Sequence, residues 1–141
     1  MNRNYILSCE STVDEPYKNM ADRGIPVIFY TYTIGTEIFE DDMKRTPGST
    51  EEFYAKLKAG AKPVTSQINT ATYEEYFEKI SKENDVLHIA FGSGMSGSVY
   101  NAIAAAKKLN EQYSHKITVI DSTCSCCGFG LILDEAADMR D

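Results

Sequence analysis

The sequence predicts an α/β fold: a parallel sheet with helices on both faces, in three layers. Three observations predict it. Residues 85–91 are an apolar run of strand length, as expected for a buried parallel strand, and residues 116–121 read as the next strand. Each ends in a turn of small polar residues that leads into a helical pattern. Strand and helix patterns alternate along the whole chain, which is the mark of parallel βαβ units.

Taken in order, Tyr5-Ile6-Leu7-Ser8 reads as the first strand. A turn from Glu10 to Pro16 leads into a short helix over 17–22. Ser11 or Thr12 is the expected cap, and Pro16 suits the first turn. Gly24 stands where a helix C′ glycine belongs. Residues 26–33 are rich in β-branched and aromatic side chains and predict one strand, followed by a turn at Gly35 and a return strand. Glu51 and Glu52 mark the first turn of a helix that stops near Gly60, and Pro63 keeps the next segment extended. Residues 64–69 read as a polar loop. Thr72-Tyr73-Glu74-Glu75 resembles a capping box that opens a helix to about Lys82, with Tyr73, Phe77 and Ile80 on one apolar face. The strand at 85–91 is followed by an Ala-rich helix over 99–113, a strand at 116–121, a polar turn at 122–128 and a last helix over 129–140. In that helix Leu131, Ile132, Ala136 and Met139 suggest a packed face running to the end of the sequence. A chain that stops at a domain boundary is the expectation, with a complete short protein as the other reading.

Size and composition fit one domain with a real core, since 43% of the 141 residues are apolar and nine Tyr and six Phe supply bulk. The formal net charge of −7 argues against nucleic acid, because an acidic surface repels phosphates and gains nothing from counterion release. It argues equally against anionic membrane surfaces. The opening apolar run is too short for a signal peptide, and no stretch is long enough to span a bilayer. A cytoplasmic protein without membrane insertion is expected. Cys124, Cys126 and Cys127 are too crowded for an ordinary disulfide framework, which fits a reducing compartment.

The segment richest in chemistry is Phe91-Gly92-Ser93-Gly94-Met95-Ser96-Gly97-Ser98, between a buried strand and a helix. In an open parallel sheet such a turn lies at the carboxyl ends of the strands, where ligands bind. Its glycines admit close approach, its serines offer neutral donors, and the helix start adds free N–H groups. The pattern suits a carboxylate or phosphate, although on spacing alone a simple helix cap is the plainer reading. A Walker A ending and a Gly-x-Ser-x-Gly elbow are both missing. Thr65-Ser66-Gln67 places three hydrogen-bonding side chains in one stretch, which alone describes an ordinary loop. The cysteine-rich turn after Asp121 lacks the distant second pair of a zinc framework, and vicinal Cys126-Cys127 would bridge only with strain; small cysteines packed under a turn are expected instead. His88 falls mid-strand and reads as a core residue, and His115 falls in a loop. No pair of carboxylates suggests a general acid and base. No catalytic residue, metal or cofactor is expected.

Four segments, in order and over nearly the whole chain, resemble the DegV family. Ser8-Cys9-Glu10-Ser11-Thr12-Val13-Asp14 is similar to its opening Thr-Asp-Ser-Thr-Ala-Asp motif, with Cys9-Glu10 departing from the usual Asp. Thr65-Ser66-Gln67 matches its Thr-Ser-Gln loop. Ser93-Gly94-Met95-Ser96-Gly97-Ser98-Val99-Tyr100 is similar to its Ser-x-Leu-Ser-Gly-Thr-Tyr turn, with Ser98 for the usual Thr. Val119-Ile120-Asp121-Ser122, with Gly128 and Gly130, matches its Val-x-Asp-Ser segment and following Gly-x-Gly; Cys126 stands where Ser is frequent. The resemblance implies that residues 1–141 are an amino-terminal domain whose carboxy-terminal, lipid-clamping partner domain is absent from this chain. It implies a non-enzymatic carrier for a long-chain fatty acid. Thr65 and Ser93 would hold the carboxylate, supported by Ser66, Gln67, Ser96 and Gly97. It further implies an ATP-dependent fatty-acid kinase as partner. Two other readings remain: a phosphoryl- or acyl-transfer enzyme domain, and a module that forms a homodimer without ligand.

Overall fold

The computed structural model describes residues 5–82 and 84–141. Met1 to Asn4, part of the stretch read above for a leader, lie outside them. Strand β1 (Tyr5–Glu10) runs into a single 3-10 turn (Ser11–Val13) and helix α1 (Tyr17–Asp22). Strands β2 (Val27–Ile28), β3 (Thr31–Ile34) and β4 (Glu37–Glu40), helix α2 (Ser49–Lys58) and strand β5 (Pro63–Thr65) follow. Then come α3 (Thr70–Ser81), β6 (Asp85–Ala90), α4 (Ser98–Asn110), β7 (Ile117–Asp121) and α5 (Cys126–Arg140).

The main sheet is parallel, with strand order β2-β1-β6-β7. β1 pairs with β6 from Tyr5 opposite Asp85 to Ser8 opposite His88, and β6 pairs with β7 from Val86 opposite Ile117 to Ala90 opposite Asp121. Successive residues of a strand point to opposite faces, so the sheet builds two cores. Leu7, Cys9, Val27 and Ile89 meet Met20 of α1 and Phe129, Leu133 and Ala137 of α5. Ile28, Val86 and Ile117 meet Tyr73 and Phe77 of α3 and Ala102, Ala105, Ala106 and Leu109 of α4. Three alanines let α4 approach closely, and the bulk of Tyr73 and Phe77, both fully buried, fills the remaining space. This is the expected three-layer arrangement.

A second, antiparallel sheet of order β4-β3-β5 stands beside it. It corrects two expectations. The apolar run 26–33 is two strands, not one: the chain leaves the parallel sheet after Ile28 and enters the antiparallel one at Thr31. The propensity is continuous, but the pairing partner changes. Val64 and Thr65, expected in a loop, belong to strand β5 with Pro63, and Tyr32 stands opposite Thr65. All three are exposed, so no buried pattern announces them.

Two caps and one helix face also differ. α1 has no side-chain cap; Ser11 Oγ instead accepts the Tyr30 N–H at 3.1 Å. α3 is capped by Asn69, whose Oδ1 accepts from the Thr72 N–H at 2.9 Å. α5 starts at Cys126, earlier than expected, and buries Phe129, Gly130, Leu133 and Ala137, leaving Leu131 and Met139 exposed.

Candidate functional site at the carboxyl ends of the parallel strands

β1, β6 and β7 all end at one rim of the sheet, and their following segments are locked together by backbone. The Gly92 N–H donates to the Cys124 carbonyl at 2.9 Å. A Cβ on Gly92 would lie 2.7 Å from both the N and the O of Cys124, so only glycine fits where the two loops touch. The turn then closes on itself, with Met95 and Ser96 N–H groups donating to the Gly92 carbonyl at 2.9 and 3.2 Å.

Ser93 is half-buried, at the crest of this turn. Its N–H donates to Asp121 Oδ1 at 3.0 Å, and the Thr123 N–H donates to the same oxygen at 2.9 Å. The Ser93 hydroxyl, followed by these amides, holds the Asp121 carboxyl below its ordinary range. Asp121 thus fixes the turn that carries Ser93. Ser96, also half-buried, accepts the Ser98 N–H at 3.2 Å, and Gly97 is the residue before the first turn of α4.

The other predicted donors arrive from the antiparallel sheet. Thr65 is exposed and ends β5, and the Ser66 N–H donates to the Thr31 carbonyl at 3.3 Å. Gln67 reaches the turn: a Cβ on Gly97 would lie 3.1 Å from Gln67 Nε2. Beyond it, the Ile68 carbonyl accepts from Asn101 Nδ2 at 2.8 Å and from Ser98 Oγ at 3.4 Å. The segment after Thr65 is therefore bolted to the first turn of α4, at the same rim as Ser93. Neither Thr65 nor Ser93 is sealed inside the core. Two shallow surface cavities lie elsewhere, one of about 380 Å³ between α4 and β7 and one of about 500 Å³ on α2.

Beneath the rim lies a polar cluster that the sequence concealed. Glu10, expected in a turn, is the last residue of β1 and is 0% exposed. Its Oε2 accepts the Phe91 N–H at 2.8 Å and the Tyr30 hydroxyl at 3.4 Å, and its other oxygen accepts the Tyr73 hydroxyl. Burial and the Glu10 charge push the Tyr30 phenol up to about 12, and the same two causes raise Tyr73. His88, also fully buried, accepts or donates at Nδ1 with Ser8 Oγ at 2.9 Å, and its Nε2 lies 3.6 Å from Glu10 Oε1. A tyrosine in an apolar helix stripe was the available signal, since a buried phenol needs a partner for its hydroxyl.

The cysteines correct another expectation. Of the three cysteines in the turn after Asp121, only Cys124 packs against the core; Cys126 and Cys127 are exposed in the first turn of α5. Cys124 and Cys127 also stand at Cys-x-x-Cys spacing, which the vicinal pair hides in the sequence. Among the described residues, no group of three or more His, Cys, Asp or Glu is arranged to hold a metal ion. No helix among them is long and apolar enough to cross a membrane.

The geometry defines an open α/β domain with a polar rim at the carboxyl ends of its parallel strands. A family model described as an uncharacterised protein, DegV family, matches residues 7–141, and the chain belongs to that family. It is 32% identical over 139 residues to the DegV domain-containing protein YteA of Lactococcus lactis subsp. lactis, covering 97% of this chain and 48% of that protein. The chain spans about half the length of the curated relatives it matches. Its backbone is similar to that of a DegV family protein from Thermus thermophilus described for its fatty acid binding, with TM-score 0.80 and 25% identity over 96% of this chain and 47% of that one. It also shares its fold with the fatty acid kinase B3 protein of Streptococcus pneumoniae, solved loaded with linoleic acid, with TM-score 0.76 and 18% identity over 96% of this chain and 48% of that one.

Proposed function

We propose that this domain is the amino-terminal half of a cytoplasmic fatty-acid carrier, and that Thr65 and Ser93 donate hydrogen bonds to the lipid carboxylate. The observation that carries this reading is the seam between Gln67 and Gly97, which brings the segment after Thr65 against the turn that carries Ser93. Ser66, Gln67, Ser96 and Gly97 shape that seam. Fatty acid binding in the Thermus thermophilus relative supports the ligand class. A carboxylate whose tail is buried needs donors, and hydrogen bonds to a charged group contribute about 1.5–3 kcal/mol each. The tail contributes about 0.8 kcal/mol for every methylene removed from water. The second half of the longer protein would supply the opposite wall.

In this reading the domain catalyses no step and needs no cofactor. It presents the bound acid to a separate ATP-dependent fatty-acid kinase, a role suggested by the name of the Streptococcus pneumoniae protein. Native mass spectrometry of the full-length protein tests the ligand: a copurifying fatty acid is expected. Thr65→Ala and Ser93→Ala should each weaken its binding by about 1–3 kcal/mol. Unchanged affinity in both variants removes the assignment of these donors.

A further inference from the structure

We propose that Glu10 and Tyr73 are positioning residues of the head-group site, setting the spacing between the turn that carries Ser93 and the segment that follows Thr65. The inference rests on the fatty-acid reading and adds residues that touch no ligand.

The Glu10 carboxylate has one oxygen committed to each side. Oε2 takes the N–H of Phe91, the residue from which the Gly92-Ser93 turn departs. Oε1 takes the Tyr73 hydroxyl, whose oxygen lies 3.0 Å from Ser98 Oγ. With the Tyr73 proton given to Glu10, the single Ser98 proton is shared between the Tyr73 oxygen and, at 3.4 Å, the Ile68 carbonyl three residues beyond Thr65. Tyr30 adds a second strut: its hydroxyl reaches Glu10 and faces Ser96 and Ser98. A single buried carboxyl group thus ties β1, α3, the Ser93 turn and the start of α4.

Stability alone does not account for this arrangement. A buried carboxylate loses its hydration, and an apolar group of the same volume often serves a core at least as well. What fixed acceptors provide is a defined geometry, because each donor must meet a particular oxygen. The loop segments that would carry the lipid's donors are the ones being fixed.

Tyr73→Phe isolates the effect. It removes one hydroxyl and keeps the ring that stands 5.7 Å from Phe77 and 5.8 Å from His88. In the full-length protein, affinity for palmitate should fall about tenfold, the size of one lost hydrogen bond. Affinity for hexadecanol, which shares the tail but lacks the carboxylate, should stay within about twofold. Glu10→Gln, which keeps the shape and turns one acceptor into a donor, should show the same selective loss. An equal loss for acid and alcohol would overturn the proposal, since general loosening affects both. Amide exchange on the lipid-free protein provides a second reading: protection should drop at Phe91 and Ser98, whose amides donate to Glu10 and to Ser96 Oγ, and hold in β7 and α5. Unchanged exchange in Tyr73→Phe overturns the network whatever the lipid result. A wild-type protein that binds neither lipid overturns the carrier reading instead, and exchange still decides the network.

Discussion

The two sheets of this molecule stand side by side and are built on opposite terms. In the parallel sheet, β6 is buried on both faces and β1 has four consecutive buried residues. In the antiparallel sheet no residue of β3, β4 or β5 is buried, and β5 is exposed throughout. What holds the smaller sheet is a layer of aromatic contacts: Tyr32 stacks on Phe39 at 5.3 Å and meets the edge of Phe53 at 5.4 Å, with Lys56 Nζ 4.2 Å above Phe39. The proposed donors divide between the two, Thr65 on the thin sheet and Ser93 at the rim of the thick one. A site so divided would be only as well defined as the fastening between the sheets, and it is on Ile68, Ser98 and Asn101 that hydrogen bonds between them converge.

The contrast is open to measurement. Phe77→Ala, in the core of the parallel sheet, should cost about 3–5 kcal/mol through the cavity it leaves, read as a lower urea midpoint. Gly92→Ala should cost about 1–3 kcal/mol, because the new methyl meets backbone rather than a flexible side chain. Tyr32→Ala should cost about 1 kcal/mol, the worth of an aromatic pair in a half-exposed setting. A loss there as large as that of Phe77→Ala would erase the distinction between the sheets. The smallest effect concerns pH. The folded Asp121 carboxyl is depressed, so its contribution is present above the unfolded value of about 3.9 and lost as pH falls through the lower folded value. Asp121→Asn should therefore reduce stability at neutral pH by less than about 1 kcal/mol and flatten the loss of stability below about pH 4. Equal acid sensitivity in variant and wild type would show that Asp121 fixes nothing.

The parallel architecture was legible because a buried strand carries its burial in composition: the apolar run around Val86 reads as a strand covered on both faces. The antiparallel sheet was not, since Pro63, Val64 and Thr65 have no buried face to betray them, and the switch at Phe29-Tyr30 changes partners without changing propensity. The rim residues were legible as a glycine and serine pattern. Glu10 was not, because a charged residue after an apolar strand reads as a turn. Only the arrival of Phe91 and Tyr73, remote in sequence, makes it a core residue.

That remoteness matters while the chain is being made. β1 finds its long partner only in β6, and Ser8 meets His88 across 80 positions of sequence. At roughly 5–20 residues per second, a ribosome needs about 4–16 seconds to supply that partner. Throughout this interval the first strand has no β6 beside it, and Glu10 lacks the Phe91 amide among its partners. The central seam of the sheet closes late, and the carboxylate leaves water only when its last donors have been synthesised.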